Sequence, residues 1–275
     1  MASLTATPPP SRPALRQVTD RISDASSHLW TLGSVVLLVL AWEFLVNLLQ
    51  IHPLLLPAPS VIGAELFEIS ERGLLWAPLA ETMQALFVGV GLSLVVGIPV
   101  GVVIGATGLL DLLSTPYLWA LRATPSIAIA PLLVIWVGFG FDAKVLMVFL
   151  SAGVMVMMIT LEGVKTVDES LVRVARSFGA DRKAIYKNVV FPYIMPYIAN
   201  AVRNGIGAGI VGVLVVEMFN APGGIGAQVR RASHSYDGPR MFAYIIILIV
   251  ISLALISLSR RLEAYVSRWR EEVYV

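Results

Sequence analysis

Long apolar runs alternate with short polar segments along this chain. The runs lie near residues 28–50, 82–107, 115–138, 142–163, 193–217 and 240–259. A helix needs about 20 mainly apolar residues to cross a bilayer, and each run provides them. We expect the third run to be broken or tilted, because it contains Pro116, Pro125 and Pro131. The pattern predicts an all-α, polytopic membrane protein with about six transmembrane helices.

The polar segment 56–80 separates the first two runs. It contains prolines and the charged residues Glu65, Glu68, Glu71 and Arg72. This composition predicts an external connection that carries a short amphipathic helix.

A second polar segment, residues 164–192, reads "VKTVDESLVRVARSFGADRKAIYKNVVFP". Thr166 and Glu169 have the spacing of a capping box, which starts a helix. Gly179 can take the left-handed conformation that ends this helix, and Asp181 can cap a second one. The segment therefore predicts an amphipathic helix–turn–helix at a membrane surface. It either rests there as a solvated loop or fits into a groove of another protein.

Composition supports a bilayer as the solvent and excludes several kinds of site. Only 14% of the residues are charged and the mean hydropathy is +0.81, whereas soluble domains carry about 25% charged residues. The net charge of +2 comes without a Lys/Arg block, so we expect no nucleic-acid partner. The chain has no cysteine and three dispersed histidines, a pattern that predicts no disulfide and no metal site.

Lysine and arginine positions predict the orientation, because short cytoplasmic loops are enriched in them. They are concentrated in the N-terminal tail, in residues 164–192 and at the C-terminal end. With six spans these three regions share one side, so we expect both termini in the cytoplasm. The outer loop 218–240 is an exception, since it carries Arg230, Arg231 and Arg240.

The same features divide the chain into four parts. Residues 1–28 lack the apolar core of a signal peptide and are expected to form a mobile cytoplasmic tail. Residues 29–78 hold the first span and the external connection. Residues 79–263 form the membrane core, with a cytoplasmic coupling loop at 164–192. Residues 264–275 form a cytoplasmic tail.

Small and ionisable residues mark candidate positions within the spans. Gly97, Gly101 and Gly105 share one helix face, which favours close helix packing. Ionisable groups in spans are functional candidates, and the sequence places Glu43, Arg203 and Glu217 there. Asn200 and Asn204 lie one turn apart on the fifth span. We interpret Asn200, Arg203, Asn204 and Glu217 either as lining a translocation path or as bonding between helices.

The segment 164–192 resembles the cytoplasmic signature loop of ABC importer permeases. That pattern is Glu-Ala-Ala, three residues, Gly, nine residues and Ile-x-Leu-Pro. The chain matches it at Ala175, Gly179 and Pro192. It departs from it at Arg173, Val174, Val189 and Phe191.

Further segments are similar to permeases of the nitrate/sulfonate/taurine type. They are "LPAPSVI" (56–62), "GIPVGVVIGA" (97–106), "LRATPSIAIAPLLVIWVGFGFDAKV" (121–145), "VVFPYIMPYIANAVRNG" (189–205) and "VVEMFNAPGGIG" (215–226). The similarity covers about residues 50–262. Ala85 stands where this family typically has an arginine.

The resemblance implies the transmembrane domain of a type I ABC importer in the bacterial inner membrane. Two permease copies, expected as a homodimer, would surround a path that works by alternating access. An extracytoplasmic solute-binding protein would deliver the solute. Two ATPase subunits would bind ATP and Mg and dock on the coupling residues, which are Arg173, Ala175, Arg176, Phe178, Gly179, Ala180, Asp181 and Arg182.

The chain has no Gly-x-x-x-x-Gly-Lys-Ser/Thr phosphate loop, so we expect no enzymatic activity and no cofactor in this subunit. A self-contained secondary transporter or channel is the alternative, although no internal repeat supports it. A membrane scaffold is a third possibility. The candidates for the transported solute are nitrate, taurine, alkanesulfonates, bicarbonate, aromatic carboxylates and pyrimidine-like heterocycles.

Overall fold

The structure is a computed structural model that describes residues 30, 33–219 and 221–266. All regular elements in these residues are helical. The described residues divide into two compact units between Val61 and Ile62. The predicted tail 1–28 and residues 267–275 of the predicted C-terminal tail lie outside the described residues.

In the first unit, α1 (Gly33–Leu48) is followed by a loop and by the start of α2 (Pro59–Glu71). Glu43 of α1 holds this start. Its carboxylate accepts hydrogen bonds from the Ser60 backbone N–H at 3.0 Å and from the Ser60 hydroxyl at 2.8 Å. Glu43 therefore satisfies one of the free N–H groups at the beginning of α2.

In the second unit, four helices are long and apolar enough to span a membrane. They are α3 (Trp76–Gly105), α6 (Phe141–Lys165), the continuous helical run Arg182–Phe219 that ends in α9 (Phe191–Phe219), and α11 (Gly238–Val266). With the bent pair described next the described residues hold up to five spans, and α1 is a shorter apolar helix. The count of six spans thus stays a prediction.

The third predicted span is a bent pair of helices, α4 (Gly108–Ala123) and α5 (Ser126–Val137), which meet at 94°. The break lies at Thr124 and Pro125, both of which have extended backbone. A residue that precedes proline is disfavoured in the helical conformation, which explains the site of the break. The run is thus broken as predicted, at Pro125, whereas Pro116 and Pro131 lie inside helices.

Helix α6 packs along both α3 and α9 and forms the centre of the unit. Three glycines of α3 lie against it. A Cβ on Gly97 would come within 3.0 Å of Val156, one on Gly101 within 2.7 Å of the Met157 carbonyl, and one on Gly105 within 2.9 Å of the Leu161 carbonyl. The two backbones can approach this closely because these positions lack side chains.

Several helix boundaries differ from the expectations. α3 begins at Trp76 rather than near residue 82, and an amphipathic helix α10 (Ile225–His234) lies in the loop between the last two spans. The sequence analysis did not predict α10, because its ten residues contain two arginines and no long apolar run. Two short helices, α7 (Glu169–Ser177) and α8 (Arg182–Ile185), follow α6, and a π-helical turn, Tyr186–Val190, joins α8 to α9.

Candidate functional site

The start of α7 is fixed by Asp168, whose carboxylate accepts a hydrogen bond from the Ser170 backbone N–H at 2.7 Å. This bond lowers the pKa of Asp168, because it stabilises the charged form. The expected cap at Thr166 is wrong, since its hydroxyl donates to the Gly163 carbonyl at 2.8 Å and so closes the end of α6.

The turn between α7 and α8 contains the left-handed glycine and the aspartate cap that the sequence predicts. Gly179 has φ +79°, and nothing lies within 4 Å of the position that its Cβ would occupy. The Ala180 N–H donates to the Ala175 carbonyl at 3.1 Å, which closes the helix end. Asp181 accepts a hydrogen bond from the Ala184 N–H at 2.8 Å and caps α8, as predicted.

The predicted coupling residues divide into an inward and an outward set. Ala175 and Ala180 pack against a buried cluster formed by Val164, Ile185, Val190 and Ile194. Phe178 points away from it and is 86% exposed. Five further predicted coupling residues are also exposed, namely Arg173, Arg176, Gly179, Asp181 and Arg182. We call this outward set, with Phe178, the coupling surface.

An apolar groove runs beside the coupling surface and has a volume of about 410 Å³. Leu171, Val174 and Ala175 line its α7 side, and Pro192 and Tyr193 lie on its α9 side. Leu171 and Val174 are 45% and 54% exposed. The amphipathic face of α7 is therefore only partly covered within this chain.

Three of the predicted path residues form one cluster on α9. Arg203 donates hydrogen bonds to Glu263 of α11 at 2.9 Å and to the Asn200 amide oxygen at 2.6 Å. The Asn204 amide donates to the same oxygen at 2.7 Å. Asn200, Arg203 and Asn204 thus bond to one another and to α11.

A cavity of about 430 Å³ lies next to these residues on α9, where Ala208 and Val211 contribute to its wall. Its other walls come from α6 and from the break between α4 and α5. Its polar lining consists of Arg122, Thr124, Ser126 and Ser151. The four predicted path residues are not in its lining.

Glu217, the fourth predicted path residue, is fully buried in a charge cluster at the opposite end of α9. Lys144 of α6, itself 3% exposed, lies 3.2 Å from the Glu217 carboxylate and 3.4 Å from that of Glu81. The Thr82 hydroxyl at 2.9 Å and the Gly226 N–H at 2.9 Å also donate to Glu217. The cluster joins α3, α6 and α9 at one end of the bundle.

The loop that follows α9 is held by this cluster. Lys144 donates to the Gly223 carbonyl at 2.7 Å, and the Ile225 N–H donates to Thr82 at 2.9 Å. Gly224 has φ +99°, and a Cβ there would collide with the Glu217 carboxylate. A side chain at Gly223 would collide with Glu81.

Lys144, Thr82 and Glu81 were not predicted from the sequence as site residues. Lys144 begins an apolar run, where a lone lysine usually indicates a loop charge. Its partners are 63 and 79 residues away in sequence, so no local spacing connects them. The adjacent glycines at 223 and 224 were the available signal that a backbone approaches closely there.

Two arginines of the segment 218–240, which is an exception to the predicted charge distribution, also have partners. Arg240 lies 2.7 Å from Glu65 of α2, and Arg231 donates to the Pro222 carbonyl at 3.3 Å. The acid-rich connection and the arginine-rich loop thus meet at the end of the bundle that holds Glu217. Asp111 and Lys165, 2.8 Å apart, mark the other end, where α7 begins.

The chain is similar to several transport permease proteins. The chain is 29% identical to the taurine transport system permease protein TauC of Escherichia coli, over 88% of this chain and 90% of that protein. It is 28% identical to the riboflavin transport system permease protein RibX of Chloroflexus aurantiacus, over 86% of this chain and 88% of that protein. The formylaminopyrimidine transport permease protein ThiX of Halalkalibacterium halodurans is 26% identical to it, over 86% of this chain and 94% of that protein.

Solved structures show the same fold. A chain of the MetNI methionine ABC transporter, in an inward-facing conformation, matches with a TM-score of 0.62 and 19% identity, over 69% of this chain and 94% of that one. The family model for the binding-protein-dependent transport system inner membrane component matches residues 97–269, which is more than half of the chain. ABC importers of this family use an ATPase partner and a substrate-binding protein. The chain therefore belongs to the binding-protein-dependent transport system inner membrane component family and is a multi-pass, non-enzymatic permease subunit of an ABC importer.

Proposed function

We propose that residues 164–192 couple ATP hydrolysis in a partner subunit to movement of the spans, with the coupling surface as the point of contact. The observation that carries this proposal is the 86% exposure of Phe178. A large apolar side chain that projects from a rigid turn into water is typical of an anchor that another protein buries. The arginines around it suit a polar rim.

The attachment of α7 and α8 to the bundle supports the same role. Ile185, Val190 and Ile194 belong to one buried cluster with Val164 of α6. A force on Phe178 would therefore reach α6 and α9 through packed side chains. A merely solvated loop would not need this apolar attachment.

We further propose that both termini and residues 164–192 lie in the cytoplasm, as the lysine and arginine distribution predicts. Since the native chain has no cysteine, single cysteines report accessibility cleanly. In intact cells, Ser70→Cys should react with an impermeant thiol reagent and Ser177→Cys should not. The reverse pattern would overturn this orientation.

The path, in this proposal, runs through the 430 Å³ cavity between α6, α9 and the break between α4 and α5. Its volume lies within the range of small-molecule sites, about 300–1,000 Å³. We assign Glu217 to holding the outer loop, because its carboxylate is buried and already bonded. Asn200, Arg203 and Asn204 stay predicted path residues for another conformation of the transporter.

We propose two copies of this chain per transporter, two ATPase subunits and one extracytoplasmic binding protein. The solutes named for the relatives include taurine, riboflavin and formylaminopyrimidine. These are chemically diverse, so we propose a small polar or heterocyclic solute that the binding protein selects.

The test is Phe178→Ala in the complex of the permease with its ATPase subunits. We expect normal amounts of permease in the membrane but at least about 30-fold weaker retention of the ATPase subunits, because an interface anchor contributes about 2 kcal/mol or more. Gly179→Val should have a similar effect, since it strains the turn. Retention is measured by affinity purification through a tag on the permease, and uptake by a radiolabelled solute.

Phe67→Ala is the matched control, because Phe67 is 65% exposed on α2, away from the coupling surface. It should leave ATPase retention unchanged. Normal retention and uptake in Phe178→Ala would mean that this surface is not the coupling element.

A further inference from the structure

A second groove, separate from the one beside the coupling surface, lies at the start of the helical run Arg182–Phe219. It has a volume of about 310 Å³. Lys183 and Lys187 lie at one end, with Tyr186 between them, and Val190, Phe191 and Ile194 follow toward the other end. Val102 of α3 forms the opposite wall. We call it the lysine groove.

The lysine groove changes character along its axis. Lys183, Lys187, Val190 and Ile194 recur every three or four residues, so they form one stripe on a helical run. The stripe is cationic for its first turn and apolar afterwards. Its length from residue 183 to residue 194 is about 17 Å at 1.5 Å per residue.

The two lysines have no counter-charge within the part of the chain that the structure describes. Both are exposed, and neither forms an ion pair with any residue that the structure describes. By contrast, Lys165 pairs with Asp111 at 2.8 Å and Lys144 with Glu217 at 3.2 Å. The lysine groove thus presents two uncompensated positive charges directly above an apolar slot.

We propose that the lysine groove binds one anionic phospholipid. Lys183 and Lys187 would contact the phosphate of the headgroup, and one acyl chain would lie over Val102 and the half-exposed Phe191, above the buried Val190 and Ile194. Basic pockets at the membrane boundary recognise anionic lipids in this way, and each nearby lysine contributes about 1 kcal/mol. A free phosphate could use the lysines but would leave the apolar slot uncovered. The chemistry of the whole groove therefore favours a lipid.

The bound lipid would also connect two spans. Val102 belongs to α3, whereas the two lysines precede α9. A lipid in this groove would therefore contact both elements, where Val102 already packs against Val190 and Ile194. The proposal does not depend on the coupling role of Phe178.

The experiment uses the full chain, purified with its ATPase subunits and delipidated. Phosphatidylglycerol is titrated in and bound lipid is counted by native mass spectrometry. The double variant Lys183→Gln/Lys187→Gln should bind phosphatidylglycerol about 10-fold to 30-fold more weakly at the tightest site, as expected for two lost lysine contacts. Phosphatidylcholine, whose headgroup has no net charge, should bind weakly to both proteins.

The matched control is Arg260→Gln/Arg261→Gln, which removes two exposed cations from α11. It should retain the tight phosphatidylglycerol site. Val102→Phe provides a second arm, because it narrows the apolar slot without changing the charge. This variant should also bind phosphatidylglycerol more weakly. Its elution volume in gel filtration and its retention of the ATPase subunits should stay normal.

Four results would overturn the proposal. Binding of phosphatidylglycerol could be unchanged in the lysine double variant, or be lost equally in the α11 control. Excess inorganic phosphate could displace the lipid completely, which would indicate a free-anion site. The lysine variant could release the ATPase subunits without any change in lipid binding, which would place the lysines in the ATPase interface.

Discussion

Basic side chains at the two ends of this membrane bundle differ in their burial and in their partners. At one end Lys144 is 3% exposed and is bonded to Glu217, Glu81 and a backbone carbonyl. At the other end Arg176 and Arg182 are exposed and have no ion pair among the residues that the structure describes. A buried charge without partners is very costly, whereas an exposed one costs little. The buried end is therefore built to hold the chain together, and the exposed end leaves its charges available to another molecule.

The largest expected effect is on the buried end. Lys144→Met leaves the Glu217 carboxylate in an apolar interior without its cation, which should destabilise the protein by about 3–5 kcal/mol. The measurement is thermal unfolding of the purified permease in detergent. Lys144→Met/Glu217→Gln removes both charges but keeps a hydrogen-bond acceptor for Thr82 and Gly226, so it should recover most of the stability.

The matched control for this prediction is Lys165→Met at the other end of α6. Lys165 pairs with Asp111 at 2.8 Å, but its side chain is 39% exposed. We expect a loss of no more than about 1 kcal/mol, because water screens this pair. Equal losses for Lys144→Met and Lys165→Met would contradict the contrast between the two ends.

The second-largest expected effect concerns the loop that follows α9, which the buried Glu217 cluster holds in place. Gly224→Ala should destabilise the protein by about 2–4 kcal/mol, because it combines positive φ with a displaced carboxylate. Gly73→Ala separates these causes, since Gly73 has φ +67° and nothing within 4 Å of its Cβ position. It should cost only about 1–2 kcal/mol in the same unfolding assay. If the two variants lose the same stability, the Glu217 carboxylate is not fixed in place.

The third prediction concerns the exposed end. Arg176→Ala should change the stability by no more than about 1 kcal/mol, since the side chain is exposed at the end of α7. It should nevertheless weaken retention of the ATPase subunits, which affinity purification measures. Arg261→Ala on α11 is the control and should affect neither quantity. A large stability loss in Arg176→Ala would show that this arginine has a structural role.

The smallest effect is at the Asp168 cap. The Ser170 N–H holds the pKa of Asp168 below its usual value of about 3.9. A lowered folded-state pKa means that the stabilisation is complete well above pH 4 and is lost as the pH falls through the folded-state pKa. Hydrogen exchange of the first turn of α7, corrected for intrinsic rates, should therefore accelerate only in acid.

Two variants sharpen this last prediction. Asp168→Ala should exchange faster at every pH, because no acceptor is left for the Ser170 N–H. Asp168→Asn should keep the cap without titrating, since asparagine is also a good N-cap. Acid sensitivity that persists in Asp168→Asn would assign the titration to another group.

The spans and the coupling turn could be predicted because their signals are local. The apolar runs give α3, α6, α9 and α11, and Gly179 and Asp181 mark a turn by their own backbone and side-chain chemistry. The break between α4 and α5 was only half predictable. The three prolines predict that the helix is broken or tilted. Which proline ends the helix depends on the packing around each of them.

The buried cluster could not be predicted because its members meet only after the bundle forms. Thr82 and Ile225, which share a hydrogen bond, are 143 residues apart. Glu217 was identified as an ionisable residue in a span, yet a path residue and an internal ion pair have the same sequence signal. The partner that distinguishes them, Lys144, is on another helix.

The unbroken helical run Arg182–Phe219 has a mechanical consequence. Its 38 residues extend over about 57 Å, of which the 29 residues of α9, beyond the π-helical turn Tyr186–Val190, account for about 44 Å. It starts next to the Asp181 cap and ends two residues beyond Glu217. A tilt of α9 by about 5° at its Phe191 end would displace its far end by about 4 Å, more than the reach of any hydrogen bond in the Glu217 cluster. Such a lever could release the outer loop without unfolding a single helical turn.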